Sequence, residues 1–123
     1  MKRYIKSSTL DLGIPDKRPT KQQVLSDIKK LRGAELSAAV SRLDSSGNWY
    51  REDRRQKRRY LEEVVNYNYY DDPVDNYDIL DAIDSNDEIL YAVYGINRYS
   101  PEFVQQFGLY DIDTLFRRKQ LTR

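Results

Sequence analysis

The chain contains no cysteine and no histidine. Without cysteine it can form no disulfide bond and no cysteine-ligated zinc or iron–sulfur site. Without histidine it lacks the commonest general base and the commonest transition-metal ligand, and a Ser–His–Asp or Cys–His nucleophile cannot be built within it. These absences favour a protein that is not an enzyme and that holds no cofactor.

Long apolar runs are also missing. No segment approaches the roughly 18 apolar residues that a membrane helix needs, and the beginning, MKRYIKSSTLDLGIP, lacks the apolar core of a secretory signal. We therefore expect a soluble, cytoplasmic protein with no membrane partner. Its 123 residues are enough for one domain with a buried core.

The charge is divided unevenly along the chain. Residues 1–63 carry 16 Lys and Arg against nine Asp and Glu, whereas residues 64–123 carry five against 11. An asymmetry of this kind is a hint about partners. One hypothesis is a self-assembling structural protein, in which the basic half of one copy meets the acidic half of another to give a homo-oligomer.

Helix signals recur along most of the sequence. Thr20 with Gln23 forms a capping-box pattern, and Ser100 followed by Pro101 begins a short helix that Gly108 ends. Apolar residues between such signals follow helical spacing. The pattern predicts an all-α fold, a compact bundle of five to seven short helices. Residues 1–19 are predicted to be an N-terminal extended arm, and residues 20–123 a single helical domain.

Three segments of this prediction matter for the site. Residues 49–66 are interpreted as one helix, with two short strands around a charged turn as the alternative. Residues 75–84 are predicted to form a short helix with Ile79, Leu80 and Ile83 on its apolar face, and Ser85 or Asn86 is predicted to cap the next helix. A last helix is predicted in residues 111–121.

A basic cluster lies in the first half of the chain, beside Trp49, Tyr50 and Tyr60. Cations of this density can follow a phosphate backbone while aromatic rings stack on bases. They can also form the solvated half of a helix or meet an acidic protein surface. The cluster consists of Arg51, Arg54, Arg55, Lys57, Arg58 and Arg59.

Residues 20–61 also resemble a winged helix-turn-helix. The likeness lies in the helices around LRGAE, followed by LSAAVSRLDSSGNWYRE and the basic stretch. It implies that Ser37, Ser41 and Arg42 face the major groove and that residues 54–59 form the wing. A nucleic-acid-binding regulator is therefore an alternative functional hypothesis.

An acidic stretch, YDDPVDNYDILDAIDSNDEIL, has aspartate at every third position and contains no Lys or Arg. A calcium loop starting at Asp84 would need glycine where Ile89 stands, so we expect no dedicated metal site. Single-sign charge is unusual for a solvated helix face, which normally mixes signs. The stretch is therefore either such a face or a surface that binds a partner. The candidate binding residues are Asp71, Asp72, Asp75, Asp78, Asp81, Asp84, Asp87, Glu88, Tyr70 and Tyr77.

The first functional hypothesis follows from this acidic surface. We expect a non-enzymatic interaction module that docks on a basic groove of a larger, nucleic-acid-handling protein and modulates it. A small phage-type inhibitor of the anti-CRISPR or anti-restriction kind, acting as a nucleic-acid mimic, would have such a surface.

Overall fold

Five α-helices make up most of the computed structural model, which describes residues 17–108 and contains no strand in that range. Two short 3-10 helices lie in the connections. The all-α prediction is confirmed, whereas residues 1–16 and the helix predicted in 111–121 lie outside the described part. The helices are α1 (Lys21–Lys30), α2 (Ala34–Leu43), α3 (Arg54–Asn68), α4 (Ile79–Tyr94) and α5 (Pro101–Phe107), and the 3-10 helices are Asn48–Arg51 and Pro73–Asp75.

Several helix ends follow the local signals of the sequence. Thr20 caps α1 by accepting a hydrogen bond from the backbone N–H of Gln23, and Ser100 caps α5 in the same way. Gly95 ends α4 with a φ of 75°, a left-handed conformation that suits glycine. Because the signals are local, the sequence alone predicts these boundaries.

The acidic stretch folds differently from the prediction. Residues 75–84 do not form a separate helix capped by Ser85 or Asn86, because α4 runs without a break from Ile79 to Tyr94. Asp75 belongs to the preceding 3-10 helix, and Asp78 caps α4. Ser85 and Asn86 lie within α4, and their side chains form hydrogen bonds with backbone groups of Asn68 and Tyr70, outside the helix.

The segment 49–66 is helical only in its later part. Asn48–Arg51 is a 3-10 helix, and α3 begins at Arg54 after Asp53, whose side chain accepts a hydrogen bond from the Gln56 N–H at 2.9 Å. The helix interpretation is therefore confirmed for residues 54–66 and wrong for residues 49–53. A wing formed by residues 54–59 is excluded, since these residues are helical.

Helices α1 and α3 pack antiparallel. Arg58, near the start of α3, donates a hydrogen bond to the Leu31 carbonyl at the end of α1, and Lys21, at the start of α1, donates to the Asn66 carbonyl near the end of α3. Helix α2 packs on both α3 and α4. The core between them consists of Val24, Ile28, Leu36, Ala39, Val40, Leu61, Val65, Tyr69, Ile89, Leu90, Val93, Phe103 and Phe107.

A tyrosine joins α4 to α1. Tyr94 donates its hydroxyl proton to Asp27 at 2.6 Å, and burial together with this hydrogen bond raises the pKa of Tyr94. The unfolded chain titrates near the ordinary tyrosine value of about 10. The bond therefore contributes full stability below about pH 10, and this contribution is lost as the pH rises toward the higher pKa of the folded state.

We expect the Tyr94→Phe variant to be less stable than the wild type near neutral pH but to lose less stability between about pH 8 and pH 11. Urea unfolding at the two pH values measures both effects. Tyr77→Phe is the matched control, because Tyr77 is 98% exposed. An equal alkaline loss in the wild type and in Tyr94→Phe would show that Tyr94 makes no such contribution.

Within residues 17–108, none of the helices is both long enough and apolar enough to cross a bilayer.

Candidate acidic and basic sites

The acidic residues predicted to bind a partner fall into two groups, exposed carboxylates and carboxylates that form hydrogen bonds or ion pairs within the protein. Asp87 belongs to the second group, so its assignment to a partner-binding surface is wrong. The side chains of Arg18 and Asp87 are only 6% and 12% exposed. They form two parallel hydrogen bonds, from Nε to Oδ1 at 2.9 Å and from Nη2 to Oδ2 at 3.2 Å.

Three more of the predicted acidic residues have structural partners although they are exposed. Asp71 accepts a hydrogen bond from the Lys21 N–H at 2.7 Å and thereby supports the start of α1. Asp78 accepts from the Asp81 N–H at 3.1 Å as the cap of α4. Asp84 forms an ion pair with Arg98. Substitutions at Asp71 or Asp78 would consequently change helix stability as well as surface charge.

One narrow exposed stripe runs along α4. Leu80, Asp81, Asp84 and Glu88 lie at spacings that place them on one side of the helix, whereas nine of its 16 residues are buried. Leu80 was predicted to share the apolar face of the helix with Ile79 and Ile83, but it is 53% exposed and that prediction is wrong. The aspartate periodicity thus describes the solvent side of a helix whose remaining surface is largely covered.

An acidic groove contains the charged part of this stripe. Its volume is about 320 Å³, and four carboxylate residues contribute to its walls. Tyr70, which was a predicted binding residue, also contributes to it and is half-buried. The lining residues are Asn68, Tyr70, Asn76, Asp78, Asp81, Ala82, Asp84, Ser85 and Glu88.

A second cavity of about 270 Å³ adjoins the acidic groove, since Asn68, Ser85 and Glu88 line both. Its other lining residues are Leu43, Tyr60, Val64 and Ile89, which are apolar or aromatic. A charged groove that continues into a partly apolar cavity can receive a cation and an apolar side chain from the same ligand.

Asn86 was missed as a structural residue. It is 1% exposed, and its amide accepts from the Tyr70 N–H at 2.7 Å and donates to the Tyr70 carbonyl at 2.8 Å. Ser85 donates to the Asn68 carbonyl at 2.6 Å. These bonds fix the segment between α3 and α4 against the acidic groove. These hydrogen bonds could not be predicted from local sequence patterns, because the partners are 16 and 17 residues away.

The predicted basic cluster is split by the folding of α3. Lys57 donates to the Ser37 hydroxyl at 2.9 Å, and Arg58 donates to the Leu31 carbonyl at 2.9 Å, so both are engaged by neighbouring helices. Arg59 is exposed and does not line the groove that contains Arg54, Arg55 and Arg58. The side chain of Arg51 is not described.

Arg54, Arg55 and Arg58 instead line a groove with Lys29 and Arg32, which come from the end of α1 and the turn after it. We call these five cations, with Asp53, the basic groove; its volume is about 510 Å³. Lys29 and Arg32 were not predicted to take part. They reach the others only because α1 and α3 pack antiparallel.

Two of the aromatic residues beside the cluster, Trp49 and Tyr60, contact each other. Trp49 packs on Tyr60 with ring centroids 4.6 Å apart, and its indole N–H donates to Asp44 at 2.9 Å. Hydrogen bonds from Ser46 and Trp49 lower the pKa of Asp44 from its ordinary value. The expected stacking of bases on Trp49 is therefore not supported by its surroundings.

The residues implied by the helix-turn-helix likeness point mostly inward. Ser37 accepts from Lys57, and Arg42 donates to the Ala92 carbonyl of α4 at 2.9 Å. Ser41 alone of the three is exposed. With α3 in the place of the wing, α2 cannot act as the recognition helix of a winged fold.

Within the described range, no cluster of three or more acidic side chains could hold a metal ion. The acidic groove offers hydrogen-bond acceptors and negative charge, and the basic groove offers donors and positive charge. The chain matches no protein-family model, no curated protein and no solved structure.

Proposed function

We propose that this protein is a non-enzymatic interaction module that docks through the acidic groove on a basic surface of a larger protein and modulates it. Nucleic-acid-handling proteins are the partner class that we expect, because their binding grooves are basic. The observation that carries the proposal is the continuity of the acidic groove with the adjoining, partly apolar cavity.

The charge pattern supports a partner of opposite sign. From Tyr60 to Asn97 the chain has no Lys or Arg but ten Asp and Glu. On α4, Asp81, Asp84 and Glu88 repel one another at i, i+3 and i, i+4 spacings, each pair costing a few tenths of a kcal/mol. Arg98 is the one cation of the described residues that pairs with them. A basic partner would relieve the repulsion.

Exposed apolar groups beside the acidic groove support a protein partner in particular. Tyr77, which is 98% exposed, lies between two lining residues in the chain, and Leu80 precedes Asp81. Protein interfaces use aromatic and apolar anchors of this kind, surrounded by polar groups. A purely solvated helix side has no need of them.

Charge reversal of the groove tests the proposal. We expect the Asp81→Lys, Asp84→Lys, Glu88→Lys variant to capture none of the basic proteins that the immobilised wild type captures from nuclease-treated extract of the expressing cells. Like charges then face each other across the interface. None of the three caps a helix, and the variant keeps the same spacing of like charges along α4.

The matched control is Glu52→Lys, Glu63→Lys, Glu102→Lys, which changes the net charge equally at exposed positions outside the groove. The control should capture the same proteins as the wild type. Capture that is equal in all three proteins would contradict docking through the acidic groove.

A further inference from the structure

The basic groove is made entirely of charged residues. Lys29, Arg32, Arg54, Arg55 and Arg58 form it with Asp53 as the single carboxylate residue. Asp53 is already occupied in part, since its side chain accepts the capping hydrogen bond of α3. Among the described residues, no carboxylate forms an ion pair with any of the five cations.

Two of these cations are placed where they oppose the helix dipole. Arg54 and Arg55 occupy the first turn of α3, which contains no acidic residue. The N-terminus of a helix carries partial positive charge and favours anions, so arginines there cost stability. Lys29 needs no such explanation, because the last turn of α1 favours a cation. A bound anion would offset the cost at Arg54 and Arg55.

The guanidinium group of Arg58 has unused hydrogen-bonding capacity. One of its terminal nitrogens donates to the Leu31 carbonyl, which fixes the side chain at the groove. Its Nε is buried and has no hydrogen-bond partner within the described residues. Because Arg58 lines the groove, an oxyanion bound there can accept hydrogen bonds from the accessible part of its guanidinium group.

The composition of the groove distinguishes between a nucleic acid and a protein as the ligand. Protein interfaces have apolar and aromatic residues at their centre, and this groove has none. Protein–nucleic acid interfaces are far more positively charged, and counterion release provides their affinity. Four of the five cations are arginine, whose planar donors match phosphate oxygens in pairs.

We propose that the basic groove binds the phosphodiester backbone of nucleic acid, without preference for base sequence. No aromatic ring lines the groove, so we expect its contacts to be made with phosphate and not by stacking on bases. The basic groove lies at the start of α3 and the acidic groove near its end, about 20 Å apart at 1.5 Å per residue. This site is therefore separate from the acidic groove and adds to the proposed function.

Fluorescence anisotropy with short labelled DNA tests the assignment. The probes are one duplex and one single strand, each in two unrelated sequences, titrated with the full chain. We expect equal affinity for the two sequences, and roughly 100-fold weaker binding when salt rises from about 50 to 200 mM, as for about four neutralised phosphates. A strong preference for one sequence would overturn the backbone assignment, as would no binding of either probe at the lower salt.

Matched variants locate the binding on the molecule. Arg54→Gln, Arg55→Gln removes two cations from the groove, and Lys30→Gln, Arg59→Gln removes two exposed cations from the same helices outside it. We expect the first variant to bind at least about tenfold more weakly at low salt, with a salt slope about two units shallower, and the second to bind nearly as the wild type. Equal loss in both variants would overturn the groove as the site.

Light scattering at low salt distinguishes nucleic-acid binding from the remaining alternative, in which the groove binds a second copy of the chain. If the wild type binds no DNA but self-associates, and Arg54→Gln, Arg55→Gln lowers its mass, the ligand of the groove is the acidic surface of a second copy. That result overturns the nucleic-acid assignment. It leaves docking through the acidic groove to be decided by the Asp81, Asp84 and Glu88 reversal.

Discussion

An Asp87→Ala variant is expected to be about 3–5 kcal/mol less stable than the wild type, the usual cost of removing one partner from a buried ion pair. The Arg18 side chain is 6% exposed and would lose two charge-assisted hydrogen bonds with the carboxylate. Its remaining contacts include the Gly108 carbonyl at 3.4 Å and the face of Phe103, 5.8 Å from the ring centroid.

Urea unfolding of three variants checks this expectation. Asp75→Ala, at an exposed aspartate of the same acidic stretch, should change stability by no more than about 0.5 kcal/mol. The Arg18→Met, Asp87→Leu double variant should recover most of the loss, because apolar side chains then replace both members of the ion pair. If Asp87→Ala were no less stable than Asp75→Ala, Asp87 would be a surface residue after all.

An Asn86→Leu variant is expected to lose about 2–4 kcal/mol, since two backbone groups of Tyr70 then lack their partner in a partly buried segment. Asn86 itself is almost fully buried, so water does not replace the amide without rearrangement. The substitution keeps a side chain of similar size and good helix propensity. The loss therefore reports the two hydrogen bonds.

Thermal or urea unfolding of Asn66→Leu is the matched comparison, because Asn66 lies within α3 but is exposed. That variant should differ from the wild type by no more than about 0.5 kcal/mol. Similar stability of Asn86→Leu and Asn66→Leu would mean that the bonds to Tyr70 contribute little.

The predictions that were confirmed depend on local chemistry. Thr20 caps α1 and Ser100 caps α5, each by accepting a hydrogen bond from the backbone N–H three residues later. Helix α2 begins directly after Gly33, and its buried residues Leu36, Ala39 and Val40 follow a helical spacing that is visible in the sequence. Backbone conformation at such positions is decided by near neighbours.

The predictions that were wrong depend on partners far along the chain. Ser85 and Asn86 are typical helix caps, yet they lie within α4 because Asn68 and Tyr70 supply their hydrogen bonds. Asp87 continues the aspartate period of three, yet it is buried because Arg18, 69 residues earlier, pairs with it. Periodicity predicts on which face of a helix a residue lies, but it does not predict which distant residue covers that face.

The two candidate sites differ in the same way. The acidic groove contains residues that are close in sequence on α4, so its charge could be predicted, whereas the adjoining cavity needs Leu43, Tyr60 and Val64 from other helices. The basic groove joins cations from α1 and α3, so only the packing of the helices reveals it.

The dissociation constant of the complex with the captured basic protein tests the central claim most directly. It is to be measured at about 50 and 200 mM salt for the wild type, the Asp81, Asp84 and Glu88 reversal to lysine, and the Glu52, Glu63 and Glu102 control. At the lower salt, docking through the acidic groove predicts that the dissociation constant of the groove variant is at least about 100-fold higher than that of the wild type, and that the control is unchanged. At the higher salt the difference between the groove variant and the wild type should be smaller. Equal dissociation constants for the three proteins would contradict it.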